Sequence, residues 1–216
     1  MLRYDGPLVT FLMKLGDMII LHIIWLICCI PVVTAGPATA AAYYVALKLV
    51  RNEGSTVPRM FFKAFRANFR QGVILGLVSL FAGALIVLDL YIFSVRVPLA
   101  GMMGTLLLAA LVFLALLYGI TMMWLWVVLV SFENTTVRTV VNAFMMALGN
   151  WGATSMMLLQ DVLLGILAAV SVAFFPQLAI LFLIFGIPLF FVVNAFHLRR
   201  ALDQLRYDLG ERKEDE

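Results

Sequence analysis

A chain of 216 residues that is 64% hydrophobic and only 12% charged has too little polar side chain to cover a water-facing surface, which excludes an ordinary soluble globule. The formal net charge of +3 does not read as a nucleic-acid footprint, because the basic residues lie between long apolar runs and do not gather on one face. What remains is an all-α integral membrane protein, a single domain over 1–216 with no soluble domain left over.

The apolar runs are Gly16–Val33, Pro37–Val50, Gly72–Phe93, Met102–Phe132, Gly152–Phe175 and Leu178–Phe196. They predict a bundle of about six transmembrane helices over 16–196, with a cytoplasmic segment at 1–15 and a cytoplasmic tail at 197–216. Of the 15 Lys and Arg residues, all but Arg96 fall in segments that alternate to one side of such a bundle. Short loops rich in Lys and Arg stay inside during insertion, so both termini and residues 51–71 are expected in the cytoplasm and the loop around Arg96 outside.

The first run has the outline of a signal peptide, with Arg3 and Lys14 before Met18–Ile30 and a cleavage-like Val33-Thr34-Ala35. A long leading segment that also carries Asp5 and Asp17 favours a retained helix instead. Cys28 and Cys29 are adjacent inside this run, where thiols act as small hydrophobes and neighbours rarely bridge.

The second run is short. Pro37–Val50 gives roughly 21 Å of helix at ~1.5 Å per residue, against ~30 Å of hydrocarbon. Three helix breakers, Pro31, Gly36 and Pro37, separate it from the first run. Two arrangements fit: two tilted spans joined by a tight outer turn, or a hairpin that enters from the cytoplasm and turns at membrane depth. Ala38, Ala42 and Ala46 line one face of this run, and Gly72 and Gly76 open the next. Small residues at that spacing let helix backbones approach closely in lipid.

Between the second and third runs, Phe61, Phe62, Phe65 and Phe69 share one helical face, with Arg59, Lys63, Arg66 and Arg70 on another. That pattern predicts a short amphipathic helix over Pro58–Gln71, lying in the headgroup layer with its cations toward anionic lipid or a partner. A shift of 79 residues places Thr56, Arg59, Ala64 and Phe65 on Thr135, Arg138, Ala143 and Phe144. This predicts a second interfacial helix and an internal parallel repeat of span, interfacial helix, span.

Ionisable groups at membrane depth are costly and carry a functional hypothesis. Asp161, beside Gln160 in the fifth run, leads, with Asn194 in the sixth as a partner. Tyr118, Thr121 and Ser155 are further candidate donors. Asp17 and His22 lie toward the inner end of the first run, Asp89 toward the outer end of the third and His197 near the inner end of the sixth, and Asp17, Asp89 and His197 are expected to reach water. Gly186-Ile187-Pro188 predicts a kink in the sixth run. Asp161 is either held by helix-to-helix hydrogen bonds or forms a binding or transport site. Two distant histidines and the lack of a zinc motif, phosphate loop or nucleophile elbow argue for a non-enzyme with no metal and no cofactor.

Several short motifs resemble the YesL family of bacterial membrane proteins. They are Lys14-Leu15-Gly16-Asp17, Pro31-Val32-Val33-Thr34-Ala35-Gly36-Pro37, Ala41-Ala42-Tyr43-Tyr44, Phe61-Phe62-Lys63-Ala64-Phe65 and Asn68-Phe69-Arg70-Gln71-Gly72. The family's function is uncharacterised, and its members are often encoded beside carbohydrate ABC importers. The resemblance implies the bacterial cytoplasmic membrane and an accessory or regulatory role beside an importer permease or ATPase. The alternative is a protein that binds or moves a carbohydrate or other small solute at a midplane site around Asp161. No nucleic acid is expected as a partner.

Overall fold

The computed structural model describes residues 7–53, 56–93, 102–174 and 186–208. Within them the chain is all-helical: α1 (Pro7–Cys29), a 3-10 turn (Val32–Thr34), α2 (Ala35–Val50), α3 (Val57–Ala67), α4 (Phe69–Tyr91), α5 (Met102–Ser131), α6 (Thr136–Gly149), α7 (Trp151–Phe174) and α8 (Ile187–Asp208). Four helices are long and apolar enough to cross a membrane: α1 over Leu12–Cys29, then α4, α5 and α7. They expose large apolar side chains such as Leu26, Phe81, Phe113 and Leu159, a surface at home in lipid. The start of the sixth apolar run and the loop around Arg96 lie outside the described residues.

The shortest of the apolar runs makes the centre of the bundle. Helix α2 touches α1, α3, α4, α5 and α8. Ala38, Ala40, Ala41, Ala42, Val45 and Ala46 are all fully buried in it. Small side chains on every face let five neighbours close in where Leu or Phe would hold them apart. The closest approach is to α4. A Cβ on Gly36 would run into the carbonyl oxygen of Gly72 and lie 3.0 Å from Cα of Gly76, and a Cβ on Gly72 would lie 2.8 Å from Cα of Pro37. The expected small-residue packing is therefore present, with Gly36 as its tightest point.

The amphipathic helix is shorter than predicted. Helix α3 stops at Ala67, and Phe69, Arg70 and Gln71 belong to α4. Asn68 makes the break: its side-chain amide donates to the Ala64 carbonyl at 3.0 Å while its own carbonyl accepts from Gly72 N–H at 2.8 Å. An Asn that bonds local backbone competes with helix continuation, and the axis turns there. Val57, Met60, Phe61 and Ala64 are buried, whereas Phe62 and Phe69 are exposed. The phenylalanines form a chain of ring contacts, Phe61 to Phe65 at 6.0 Å and Phe65 to Phe69 at 5.4 Å.

The second half begins its short helix at the corresponding place. Helix α3 starts at Val57 and α6 at Thr136, 79 positions later. Met60 and Ala64 are buried, as are Thr139 and Ala143 at the matching positions. Helix α6 then runs for 14 residues where α3 has 11, and α7 starts 82 positions after α4. A bonded chain ties this half together: Trp124 Nε1 donates to Thr154 Oγ1 at 3.0 Å, and Thr154 Oγ1 donates to the Ala147 carbonyl at 2.8 Å. Gln71 joins the halves, donating to the Asn134 carbonyl at 3.1 Å and Thr139 Oγ1 at 3.0 Å. The first turn of α4, the end of α5 and the start of α6 thus share one end of the molecule.

Helix α8 lies parallel to α2. Phe191 packs edge-on to Tyr43, Arg199 donates to the Val50 carbonyl at 3.3 Å, and Asp203 pairs with Arg51. Residue numbers rise together along both helices, so their C-terminal ends meet on the cationic side.

Candidate functional site

Asp161 is half-buried on α7 and faces other helices rather than lipid alone. Asn194 of α8, fully buried, donates from Nδ2 to Asp161 Oδ1 at 3.3 Å. Gln160 Nε2 donates to Asn194 Oδ1 at 3.4 Å. One amide therefore links α7 and α8, and its donation to Asp161 is long and correspondingly weak.

The predicted trio of Asp161, Gln160 and Asn194 does come together, with Gln160 acting through Asn194. The other candidate donors are engaged elsewhere. Tyr118 donates to the Ser79 carbonyl at 2.7 Å, Thr121 to the Leu117 carbonyl at 2.7 Å and Ser155 to the Gly152 carbonyl at 3.1 Å. In apolar surroundings a hydroxyl without an outside partner bonds back to its own helix, which removes Thr121 and Ser155 from the site.

Beside Asp161 opens a cavity of about 600 Å³, a volume suited to a small organic solute. Its walls are largely apolar, and five aromatic rings contribute: Trp25 from α1, Tyr43 from α2, Trp126 from α5, and Phe190 and Phe191 from α8. Gly119, Gly165 and Ala168 leave room in it, while Thr39 and Asp161 supply polar groups. Trp25 is fixed by its indole N–H, which donates to Thr39 Oγ1 at 3.2 Å, and by Phe191, whose ring stands edge-on at 5.4 Å. Aromatic faces with one carboxylate and a few neutral polar groups can stack a flat or ring-shaped ligand and accept its donors. The contributions of Trp25, Thr39 and Tyr43 were not singled out from sequence. Their signal was the run of small residues around Thr39 and Tyr43, which marks a helix surrounded on all sides.

Of the cations predicted to meet lipid or a partner, Arg59, Lys63 and Arg66 lie exposed on α3 and Arg70 lies exposed on the first turn of α4. None of the four has an ion-pair partner among the described residues. Glu53 is paired with Lys48 at 2.7 Å and Asp203 with Arg51 and Arg199, while Glu133 lines one cavity with Lys63 without forming an ion pair with it. Among the described residues no group of three His, Cys, Asp or Glu side chains gathers as a metal site.

Apolar helices of spanning length around a buried polar cluster define an all-helical integral membrane protein. Residues 18–90, which run from α1 to the end of α4, match the family described as "Protein of unknown function, DUF624". No curated protein and no solved structure matches this chain.

Proposed function

We propose that this chain is a non-enzymatic, multi-pass protein of the YesL type in the bacterial cytoplasmic membrane, and that it binds a small solute in the cavity beside Asp161. The observation that carries the reading is the conjunction of a roughly 600 Å³ space lined in part by aromatic rings with a carboxylate whose one hydrogen-bond donor among the described residues is an amide at 3.3 Å. Pyranose rings stack on indole and phenol faces while their hydroxyls donate to carboxylate and amide oxygens, so a carbohydrate is the solute class that suits these walls. The family resemblance to proteins encoded beside carbohydrate importers points the same way. Both termini and α3 lie in the cytoplasm on this reading, as the distribution of Lys and Arg requires. The 79-residue correspondence between α3 and α6 is the trace of a parallel repeat.

Trp25 and Trp126 line the cavity, so intrinsic fluorescence of the protein in lipid nanodiscs reports occupancy. A panel of mono- and disaccharides is expected to include at least one that changes emission saturably, and Asp161→Asn to weaken it tenfold or more. Indifference to every sugar, or a response unchanged in Asp161→Asn, overturns the proposal.

A second reading rests on the four exposed cations of α3 and α4, which have no ion-pair partner among the described residues. They suit an acidic surface, either lipid headgroups or an importer permease or ATPase to which the chain is accessory. Neutralising all four releases an importer partner in co-purification if that role holds, and leaves recovery unchanged if lipid is their only contact.

A further inference from the structure

We infer that α1 and α2 form a re-entrant hairpin, which enters the membrane from the side of α3, turns among the acyl chains at Ile30–Gly36, and returns to the same side. The first ground is position along α4. Helix α4 begins at Phe69, directly after the cationic α3, and its Gln71 is bonded to the α5–α6 connection, so this end is one face of the molecule. The hairpin's turn meets α4 at Gly72 and Gly76. These lie only about 5 and 11 Å along the axis from Phe69 at ~1.5 Å per residue, whereas Tyr91 lies about 22 Å beyond Gly76. A hairpin that crossed the bilayer beside α4 would bring Gly36 to the other end, near Leu88 and Tyr91.

Burial along the neighbours gives an independent ground. Helix α4 buries Gly72, Leu75 and Ser79 and nothing further, and α5 buries no residue before Ile120. Full burial in both helices is confined to this part, and farther out only half-buried positions such as Gly83, Ile86, Leu111 and Ala115 occur. A second pair of full spans beside them would have covered their outer halves as well.

The turn itself is built for hydrocarbon. Ile30, Val32 and Val33 are 75%, 60% and 47% exposed, an apolar tip that water would not favour. Part of its backbone is satisfied from within: the single Thr34 Oγ1 proton lies between the Cys28 carbonyl at 2.6 Å and the Pro31 carbonyl at 2.8 Å, Thr34 N–H donates to the Pro31 carbonyl at 2.9 Å, and Ile30 N–H to the Ile27 carbonyl at 3.3 Å. Irregular backbone survives at membrane depth only where its polar groups find partners or border a cavity. Here the bonds of Thr34 and Ile30 supply such partners, while Trp25, Thr39 and Tyr43 on the two arms of the hairpin form a wall of the cavity. Of the four described helices of spanning length, α4, α5 and α7 then cross and α1 does not.

The test uses single cysteines in the full-length protein with Cys28→Ala and Cys29→Ala, in oriented membrane vesicles. Val33→Cys is compared with Asn52→Cys beyond α2 and Val97→Cys between α4 and α5. A membrane-impermeant maleimide is expected to reach position 52 from one side and 97 from the other. It is expected to modify position 33 at least tenfold more slowly from either side, until detergent is added. A nitroxide at 33 relaxed more by oxygen than by a water-soluble nickel chelate gives the same answer by depth. Labelling of position 33 from the side of 97, at a rate within threefold of 97 itself, overturns the inference, as does comparable labelling from the side of 52. Should Val33→Cys fail to accumulate, Val32→Cys occupies the same exposed tip. The outcome does not depend on whether the cavity binds a solute.

Discussion

Gly36→Ala tests the crossing on which the bundle is centred. The added methyl would fall on the Gly72 carbonyl and against Gly76 Cα, and both obstacles are backbone, so no side chain can swing away. An ordinary carbon–oxygen contact needs about 3.3 Å or more, which forces α2 and α4 apart by on the order of 1 Å. Overpacking of this kind costs about 1–3 kcal/mol. Alanine regains at most ~1 kcal/mol of helix propensity over glycine, and less in the first turn of α2. Gly16→Ala is the matched control, because a Cβ there meets nothing within 4 Å and only the propensity gain remains. Reversible unfolding in mixed micelles, followed by tryptophan emission, should separate the two variants by roughly 2–4 kcal/mol in opposite directions from the parent. Equal stability of Gly36→Ala and the parent, or a Gly16→Ala variant as damaged as Gly36→Ala, would refute the close crossing as a determinant of the fold.

Other substitutions probe the polar links between helices. Thr154→Val leaves the buried Trp124 indole N–H without its acceptor and should cost about 1–3 kcal/mol, while Thr154→Ser keeps the hydroxyl and most of the stability. Unfolding curves in the same micelles decide it, and a Val variant as stable as the Ser variant would show the bond to be idle. A double-mutant cycle of Arg51→Ala with Asp203→Ala should give a coupling of no more than about 1 kcal/mol, because Asp203 is 40% exposed and shared with Arg199. Its effect should appear as faster amide exchange confined to the C-terminal half of α8. A coupling well above that, or faster exchange throughout the bundle, would mean that this pair supports more than the local docking of α8.

The sequence revealed the runs, the amphipathic segment and the polar trio because each depends on local pattern. Hydropathy marks α4, α5 and α7 whatever they touch, and the alternation of Phe with Arg and Lys marks α3 wherever it lies. The end of α3 was misplaced by four residues because Asn68 breaks the helix through a bond to its own backbone, while the apolar periodicity runs on through Phe69. The depth of the Pro31–Pro37 turn was not legible. Three breakers and a short run say that two helices are joined tightly, but depth is fixed by what the turn meets, and the contact of Gly36 with Gly72 and Gly76 joins positions far apart in the chain. The aromatic walls of the cavity escaped for a similar reason. Trp25, Tyr43, Trp126 and Phe191 come from four helices, and each alone is an ordinary apolar residue in an apolar run.

Asp161 falls where α7 leaves the protected part of the bundle. Thr154 and Met157 are buried, and the next buried residue of α7 is Ser171. A carboxylate one turn earlier would take the fully buried place of Met157, whereas Leu164, Gly165 and Ala168, one and two turns later, continue the wall of the cavity. A charged Asp at the bilayer centre costs about 2.5–3.5 kcal/mol on insertion scales, and a single amide donor at 3.3 Å offsets only part of that. Packing alone gives no reason for Asp here, since Asn or Leu would sit at this position at lower cost. Solute binding as proposed supplies one: the cavity would leave the carboxylate an open direction from which a solute donor completes its hydrogen bonding, with Trp25 and Trp126 lining the same space.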